Sequence, residues 1–241
     1  MSAPSVAGII PARHASTRFP GKPLAQIAGL PMVQRVFERA REAKRLETVF
    51  VATDHEGIAE ACAAFGAPVL MTRPDHPTGT DRVAEAARNL DHEVIVNIQG
   101  DEPLIEGFVI DAAIEGLLED DSTPMSTVVH ALEADARNDP NRVKAVLDRA
   151  GYALYFSRSP IPYERGASRV GWQHVGLYAY RRPFLLDFVE LPRTPAEEAE
   201  ELEQLRALEH GYRIRAAVIE GWRSLPVDTP EDVARVEALL A

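Results

Sequence analysis

The sequence has little cysteine and no excess of positive charge. Its 241 residues include one cysteine, Cys62, which excludes an internal disulfide and a structural zinc site built on paired cysteines. The 37 acidic residues outnumber 26 Lys and Arg residues, giving a formal net charge of -11. This balance disfavours nucleic acid and anionic membranes as general partners. We therefore expect a protein of a reducing cytoplasm whose ligands are small molecules.

Long apolar runs are also missing. No such run approaches the ~18 residues that a membrane span requires, and the opening MSAPSV lacks the features of a signal peptide. These absences predict a soluble, unprocessed chain without membrane insertion. Because 46% of the residues are hydrophobic, the chain can still bury a sizeable core. Its length suggests one large domain, or one domain with a small lobe.

Short β-branched runs alternate with segments of helical period in the first half of the chain, which is typical of βαβ units around a mostly parallel sheet. Asp54 is predicted to cap the second helix and Gly66 to end it. Strands are predicted at 6–10, 48–53, 68–71 and 94–99, and helices at about 31–44, 58–65, 80–90 and 107–119.

The pattern changes after this half. VKAVLDRAGYALYFS predicts two strands joined by a turn at DRAG, and HVGLYAYR predicts another strand. About 125–190 is therefore expected to be an antiparallel portion, suited to pairing two subunits, within a single domain of residues 1–241. Helix 194–211, the strand YRIRAAVIE and a last helix opened by Thr229, Pro230 and Asp232 complete the prediction.

A cation-rich loop follows the first predicted strand, within IIPARHASTRFPGKPL at residues 9–24. It contains Arg13, Arg18 and Lys22, and no acidic residue precedes Glu38. Ligands of open α/β folds bind at this end of the strands, and such a loop favours polyphosphate. Neither a P-loop nor a G-x-G-x-x-G motif is present. A merely solvated basic loop is the alternative interpretation.

The segment IIPARHASTRFPGKPL resembles the opening of sugar nucleotidyltransferases, and closely that of the CMP-Kdo synthetases (3-deoxy-manno-octulosonate cytidylyltransferases). Further blocks are similar to that family in its order, nearly from end to end: VATDHEGI, MTRPDHPTGTDRVAE, VIVNIQGDEPLI, GYALYFSR, HVGLYAYR, LEQLR and VDTPEDVARV. The resemblance implies a Rossmann-like sugar-nucleotidyltransferase fold and a homodimeric, cytoplasmic enzyme. Its reaction would convert CTP and Kdo to CMP-Kdo and pyrophosphate for lipopolysaccharide inner-core synthesis.

The resemblance also implies a CTP site. Arg18 and Lys22 would neutralise the β and γ phosphates and help pyrophosphate to leave. Met71 has a second interpretation, which is core packing at a strand end. The residues that the resemblance assigns to CTP are Pro11, Ala12, Arg13, Ser16, Arg18, Lys22, Met71, Arg73, Thr78, Gly79 and Gln99, with Thr80 nearby.

Two aspartates follow the ends of elements. Asp101 comes just after the strand VIVNIQ, on the ligand side of a parallel sheet, and Asp228 lies in a strand-to-helix turn. Mg²⁺ needs only one or two carboxylates when phosphate oxygens and water complete its coordination. The resemblance implies that both aspartates hold Mg²⁺, and that they act with Lys22 and Arg18 as the catalytic residues. A turn or helix cap is the alternative for Asp228.

A second set of residues is assigned to the sugar. Arg158 would bind the acceptor carboxylate as a bidentate partner, while His174 and Tyr178, on one strand face, would bind hydroxyls. A structural histidine is the alternative for His174. The resemblance also assigns Gln99, Glu203 and Gln204 to the sugar. For Glu203 and Gln204 the alternative is a solvated helix surface.

The chain departs from the family pattern at two places. ERGASRVGWQ, bordered by Tyr163, Glu164 and Arg165, is shorter than expected, and EGWRSLPVD contains less glycine. These departures leave acceptor selectivity open, and another ulosonic acid, such as 8-amino-Kdo or a sialic acid, is the alternative acceptor. A non-catalytic nucleotide-binding module is the alternative from another class, although such a module needs no pair of metal-binding carboxylates. An NAD-dependent oxidoreductase is a remote third.

Overall fold

Residues 3–14, 19–166 and 171–240 are described by a computed structural model of the chain. Residues 1–111 and 224–241 form one compact unit, and residues 112–223 form another. No helix in these described ranges is long and apolar enough to cross a membrane. The single domain expected from the sequence stays a prediction.

The first unit contains a parallel sheet with helices between its strands. Its strands in chain order are β1 (Val6–Ala12), β2 (Gln26–Ile27), β3 (Leu30–Pro31), β4 (Thr48–Thr53), β5 (Val69–Met71) and β6 (Val94–Asn97). Its helices are α1 (Met32–Ala40), α2 (Glu56–Ala64), α3 (Gly79–Ala87) and the beginning of α4 (Gly107–Leu118). A short 3-10 helix covers Lys22–Leu24, and β2 and β3 form a small antiparallel hairpin.

The order of the parallel strands in this unit places a ligand-binding position beside β1. β1 pairs in parallel with β4 on one side and with β6 on the other, and β5 adds to β4. The chain therefore leaves β1 in one direction along the sheet and later returns to its opposite side. In open α/β sheets, ligands bind beyond the carboxyl ends of the strands where the order reverses in this way.

The sequence pattern predicted most of these elements. The apolar face predicted for α1, which includes Val33, Val36 and Phe37, is buried, and Gly66, at φ 76, follows the end of α2. The prediction that Asp54 caps α2 was wrong, since the N-cap residue is His55. The Asp54 carboxylate instead pairs with the buried guanidinium of Arg82, at 3.1 Å.

The second unit is mainly antiparallel, as the sequence predicted. Its elements in chain order are β7 (Met125–Ala131), β8 (Lys144–Leu147), β9 (Ala153–Ser157), β10 (Trp172–Arg181), α5 (Arg182–Phe188), α6 (Pro195–Glu200), α7 (Gln204–Glu209) and β11 (Ile214–Ile219). β10 pairs antiparallel with β7 and β8, and β9 pairs antiparallel with β8. β11, which was predicted, pairs in parallel with β7. β7 was not predicted.

The prediction of one helix over 194–211 was wrong, because the helix is interrupted between α6 and α7. Glu201 adopts a left-handed conformation at φ 51 and ends α6. The break lets the Arg206 guanidinium reach back to the Glu197 carboxylate in a buried ion pair, with N–O distances of 2.5 and 2.8 Å. Residues nine positions apart in one continuous helix would lie about 13 Å apart along its axis.

The last helix, α8 (Pro230–Leu240), belongs to the first unit. Val227 and Val236 from this end of the chain form a buried apolar cluster with Ile27 and Met32. The core of the first unit therefore uses both ends of the sequence. The helix start predicted at Thr229, Pro230 and Asp232 is confirmed.

Candidate active site

Three segments of the first unit come close together at the carboxyl end of β1. A Cβ atom on Gly100, in the turn after β6, would lie 3.0 Å from the Pro11 carbonyl oxygen. A Cβ atom on Gly79, at the start of α3, would lie 3.5 Å from Pro11 Cγ. Pro11, Ala12 and Gly79, all predicted to bind CTP, therefore share one small region.

Lys22 bridges the two aspartates that were predicted to bind metal. Its Nζ atom lies 2.9 Å from Asp101 Oδ2 and 3.1 Å from Asp228 Oδ1. Gly21, in a left-handed conformation at φ 71, precedes Lys22 and donates its N–H to the His14 carbonyl oxygen. The turn that begins the 3-10 helix thus directs the Lys22 side chain towards both carboxylates.

Asp232, and not Asp228, caps the start of α8. Asp232 Oδ2 accepts hydrogen bonds from the backbone N–H groups of Asp228 and Thr229, each at 2.9 Å. The Asp228 carboxylate pairs with Lys22, while the Asp232 carboxylate caps the helix. The Val227 N–H also donates to the Asp101 carbonyl oxygen at 2.8 Å, which joins the backbones of the two aspartate segments.

Glu102 supports this arrangement and was missed in the sequence. Its buried carboxylate accepts hydrogen bonds from the Ser224 hydroxyl and from the Leu225 N–H, the latter at 3.2 Å. It therefore holds the segment that leads to Asp228. The only sign of this role in the sequence was that Glu102 stands beside Asp101 in GDEP. A solvated carboxylate was an equally plausible interpretation of that position.

The donor set at Asp101 and Asp228 suits Mg²⁺. In the described part of the chain, no three His, Cys, Asp or Glu side chains are arranged to hold a metal ion, but Mg²⁺ takes few protein ligands when phosphate is present. Both carboxylates already contact one cation, the Lys22 ammonium. That shared contact shows that a single positive centre can reach both side chains.

The predicted nucleotide pocket around β5 and α3 is partly exposed. Met71 is 55% exposed, which excludes the core-packing alternative for this side chain. Arg73 forms ion pairs with Asp75 at 3.6 Å and Glu85 at 3.8 Å. Thr78 is the N-cap residue of α3, and its hydroxyl accepts the Asp81 N–H at 3.2 Å.

A buried arginine behind this pocket was not predicted. The Arg82 guanidinium contacts Asp54 at 3.1 Å and donates to Thr72 Oγ1 at 2.5 Å and to the Arg73 carbonyl oxygen at 3.4 Å. Burial lowers the pKa of Arg82, and the nearby Asp54 carboxylate opposes that shift. Arg82 therefore ties the ends of β4 and β5 together.

Other predicted CTP residues have defined partners. Arg13 Nη1 donates to the Pro77 carbonyl oxygen at 3.1 Å, and Gln99 Nε2 donates to Asn97 Oδ1 at 3.3 Å. The His14 ring stacks on the His55 ring with centroids 4.0 Å apart, a contact that the sequence did not suggest. The predicted residues Ser16 and Arg18 lie outside the described residues.

His174 and Tyr178, assigned to the sugar, meet in the second unit. An irregularity in the pairing of β10 with β7 falls between Val175 and Tyr178, and the two rings lie 5.4 Å apart. Burial lowers the pKa of His174 to about 3, so its imidazole is neutral at physiological pH. Burial, aided by the negative charge of Glu203, raises the pKa of Tyr178, so both side chains are uncharged.

The remaining sugar residues have different surroundings. The Arg158 guanidinium donates to the backbone carbonyl oxygens of Glu200, Pro140 and Glu201 at 2.7, 3.0 and 3.3 Å. These bonds hold the end of α6 and use one N–H of each nitrogen of the group predicted to bind a carboxylate. Gln204 is buried at the start of α7, which does not fit the solvated-surface alternative for this residue.

Comparison with known proteins gives a consistent family assignment. The family described as Cytidylyltransferase matches residues 7–214. A 3-deoxy-manno-octulosonate cytidylyltransferase from Syntrophotalea carbinolica is 53% identical over 98% of this chain and 98% of its own length. Another from Solibacter usitatus is 54% identical over 97% of this chain and 94% of its own length.

Solved structures agree with these sequence relatives. The structure of a CMP:2-keto-3-deoxy-manno-octonic acid synthetase complexed with CTP has a TM-score of 0.94 and 42% identity, and the match covers 98% of each chain. A 4-diphosphocytidyl-2C-methyl-D-erythritol synthase from Anaerococcus prevotii has a TM-score of 0.66 at 13% identity, covering 98% of each chain. The second likeness concerns the fold alone.

Proposed function

Since the chain belongs to the cytidylyltransferase family, we propose that it transfers the cytidylyl group of CTP to Kdo, giving CMP-Kdo and pyrophosphate. The observation that carries the proposal is the contact of Lys22 with both Asp101 and Asp228, beside β1 where the strand order reverses. The relatives that match nearly the whole chain are named for this reaction.

The reaction requires an in-line exchange at the α-phosphorus of CTP. The C2 hydroxyl oxygen of Kdo forms the new bond to this phosphorus and gives up its proton, while the bond to the β-phosphate bridging oxygen breaks. Lys22 and Arg13 bring positive charge to the phosphates, and Arg18 and Ser16 are proposed to assist them. No covalent intermediate with the protein is needed.

Asp101 and Asp228 are proposed to hold Mg²⁺. When bound, this ion supplies charge neutralisation at the phosphates and lowers the barrier to nucleophilic attack. The two carboxylates keep their position through the Asp101 to Val227 backbone hydrogen bond and the Asp232 cap.

Base recognition is proposed for Met71, Arg73 and Thr78, together with the backbone around Pro11. Sugar recognition is proposed for the second set, in which His174 and Tyr178 are neutral and buried. Arg158 is proposed to bind the Kdo carboxylate while its guanidinium also holds backbone carbonyl oxygens. The remaining members of this set are Gln99, Glu203 and Gln204.

The direct test is pyrophosphate release with CTP and Mg²⁺ over Kdo, 8-amino-Kdo and sialic acid, with ATP, GTP and UTP as nucleotide controls. Rapid release with CTP and Kdo alone is expected. Preference for another acid would change the acceptor and keep the chemistry. The absence of pyrophosphate release with every acceptor would contradict the proposed enzyme activity and favour a nucleotide-binding module.

Asp101→Asn tests the site within the same assay. We expect turnover to fall by about a hundredfold or more, as for other losses of transition-state charge stabilisation, while folding is retained. Asp121→Asn is the matched control, because the Asp121 side chain is 99% exposed. Equal rates for Asp101→Asn and the control would remove Asp101 from the reaction.

A homodimer in a reducing cytoplasm is also proposed. Among the described strands, β9 pairs with β8 alone, and its Leu154 and Tyr155 are 60% and 38% exposed. An apolar strand edge of this kind favours pairing with a second chain. Light scattering should give twice the 26.5 kDa of one chain, and Leu154→Asp should lower that mass. A wild-type protein of 26.5 kDa would contradict the dimer.

The buried, unpaired Cys62 fits a reducing compartment. Cell fractionation tests this location.

A further inference from the structure

The Lys22 ammonium contacts both carboxylates that are proposed to hold Mg²⁺. It contacts one oxygen of each aspartate, at 2.9 Å for Asp101 and 3.1 Å for Asp228. The Lys22 side chain is only 16% exposed, so the protein surrounds much of this contact. Lysine and metal therefore require the same two carboxylates.

Two cations cannot share these oxygens at low cost. An ammonium and a divalent ion in contact with the same carboxylates repel each other, and the surrounding protein screens that repulsion less than water does. A bound ion must therefore move the ammonium away. An anionic group must then accept the displaced charge if Lys22 is to remain paired.

The chain around Lys22 allows its side chain to move while its backbone stays in place. The Lys22 N–H donates to the Phe19 carbonyl oxygen at 3.1 Å, and the Lys22 carbonyl oxygen accepts the Ala25 N–H at 3.1 Å. Pro23 follows directly and restricts the backbone further. The lysine stem has four flexible carbons, so the ammonium can turn from the carboxylates to a neighbouring phosphate.

We propose that Lys22 is an internal competitor of the metal, an inference that rests on the proposed function. Lys22 neutralises Asp101 and Asp228, and the nucleotide's phosphates attract its ammonium away as the metal takes its place. The protein should consequently bind divalent cations weakly without nucleotide. Metal and CTP should favour each other's binding, with Lys22 as the group that couples them.

Metal affinity without nucleotide tests the competition. Mn²⁺ serves as the probe because it takes oxygen ligands as Mg²⁺ does, and the free ion is counted by electron paramagnetic resonance. We expect Lys22→Met to bind Mn²⁺ about tenfold more tightly than wild type, a difference of about 1.4 kcal/mol. Adding Asp101→Asn to this variant should remove the gain.

Lys44→Met is the matched control for net charge. Lys44 is exposed, so its loss changes the formal charge equally without opening the two carboxylates. Its Mn²⁺ affinity should equal that of wild type. Equal affinities in wild type and Lys22→Met, or equal gains in both lysine variants, would overturn the competition.

A second measurement uses the unaltered protein, so that misfolding of a variant cannot decide the outcome. Acetylation of lysine amines is followed by mass spectrometry as Mg²⁺ is raised to millimolar concentrations. Lys22 should become several-fold more reactive as metal frees its ammonium, while Lys44 keeps its rate. A constant Lys22 rate at a Mg²⁺ concentration that saturates the site would contradict the inference.

The outcomes also separate this inference from the proposed reaction. Cytidylyl transfer by wild type, combined with unchanged Mn²⁺ affinity in Lys22→Met, would reject the competition and keep the function. Tighter Mn²⁺ binding by Lys22→Met, in a protein that releases no pyrophosphate with any acceptor, would keep the competition and reject the function.

Discussion

At the scale of single residues, we expect substitution of Asp232 to affect mainly stability and substitution of Asp228 to affect mainly turnover. Asp232 caps α8 through the N–H groups of Asp228 and Thr229, so Asp232→Ala should lower the free energy of unfolding by about 1–2 kcal/mol. Asp228→Asn weakens the partly exposed contact with Lys22 and should change stability by less than about 1 kcal/mol, yet reduce turnover about a hundredfold. Urea unfolding and pyrophosphate release measure the two effects, and a catalytic defect confined to Asp232→Ala would reverse the assignment.

His174 should make folding sensitive to acid. Its pKa is lowered by burial from the ordinary 6.5 to about 3, so the unfolded chain binds a proton between these values that the folded chain does not. The stability from the neutral ring is therefore complete above about pH 6.5 and is lost progressively as the pH falls towards 3. Unfolding at pH 4.5 and 7.5 should differ less in His174→Gln than in wild type. An unchanged difference would show that His174 titrates normally.

At the scale of elements, two glycines in α4 should respond oppositely to the same substitution. A Cβ atom on Gly107 would lie 2.6 Å from the backbone N atom of Ala43, so Gly107→Ala should destabilise the fold by about 1–3 kcal/mol through overpacking. A Cβ atom on Gly116 would lie 3.5 Å from Ala217 Cβ, an ordinary contact, and Gly116→Ala should stabilise by up to about 1 kcal/mol. Thermal unfolding compares the two variants, and equal shifts would contradict the close packing at Gly107.

Elements with a clear hydrophobic period were predictable from the sequence, and elements fixed by tertiary contacts were not. α1 shows its buried face directly in the spacing of Val33, Val36 and Phe37. The break before α7 accompanies the buried pairing of Glu197 with Arg206, which no local sequence pattern indicates. β7 was missed because MSTVVHA follows polar loop residues and shows no alternation, although the strand is almost wholly buried.

At the scale of the whole molecule, thermal unfolding should show one transition. The first unit needs residues from both ends of the chain, since Ile27 and Met32 pack with Val227 and Val236. Residues 112–223 lie between these two parts of the sequence, so we expect the two units to unfold together. Calorimetry and circular dichroism should give coincident transitions. Two separated transitions would contradict the single domain expected from the sequence.

The sequence predicted that Lys22, Asp101 and Asp228 belong to one site, but it did not predict how these three residues pair. The resemblance selected Lys22, Asp101 and Asp228, because these residues stand in recognisable blocks. No sequence pattern indicated that the lysine contacts both aspartates, or that Glu102 and Arg82 hold the neighbouring segments. Such side chains are placed by long-range packing, which a local pattern does not contain.

The contact between Lys22 and Asp228 joins residues 206 positions apart. During synthesis, Lys22 and Asp101 leave the ribosome long before Asp228 exists. A nascent or prematurely terminated chain that ends before this aspartate lacks half of the carboxylate pair, and it also lacks Val236 of the buried cluster in the first unit. We therefore expect activity only after full-length translation, with a truncated product inert rather than partly active.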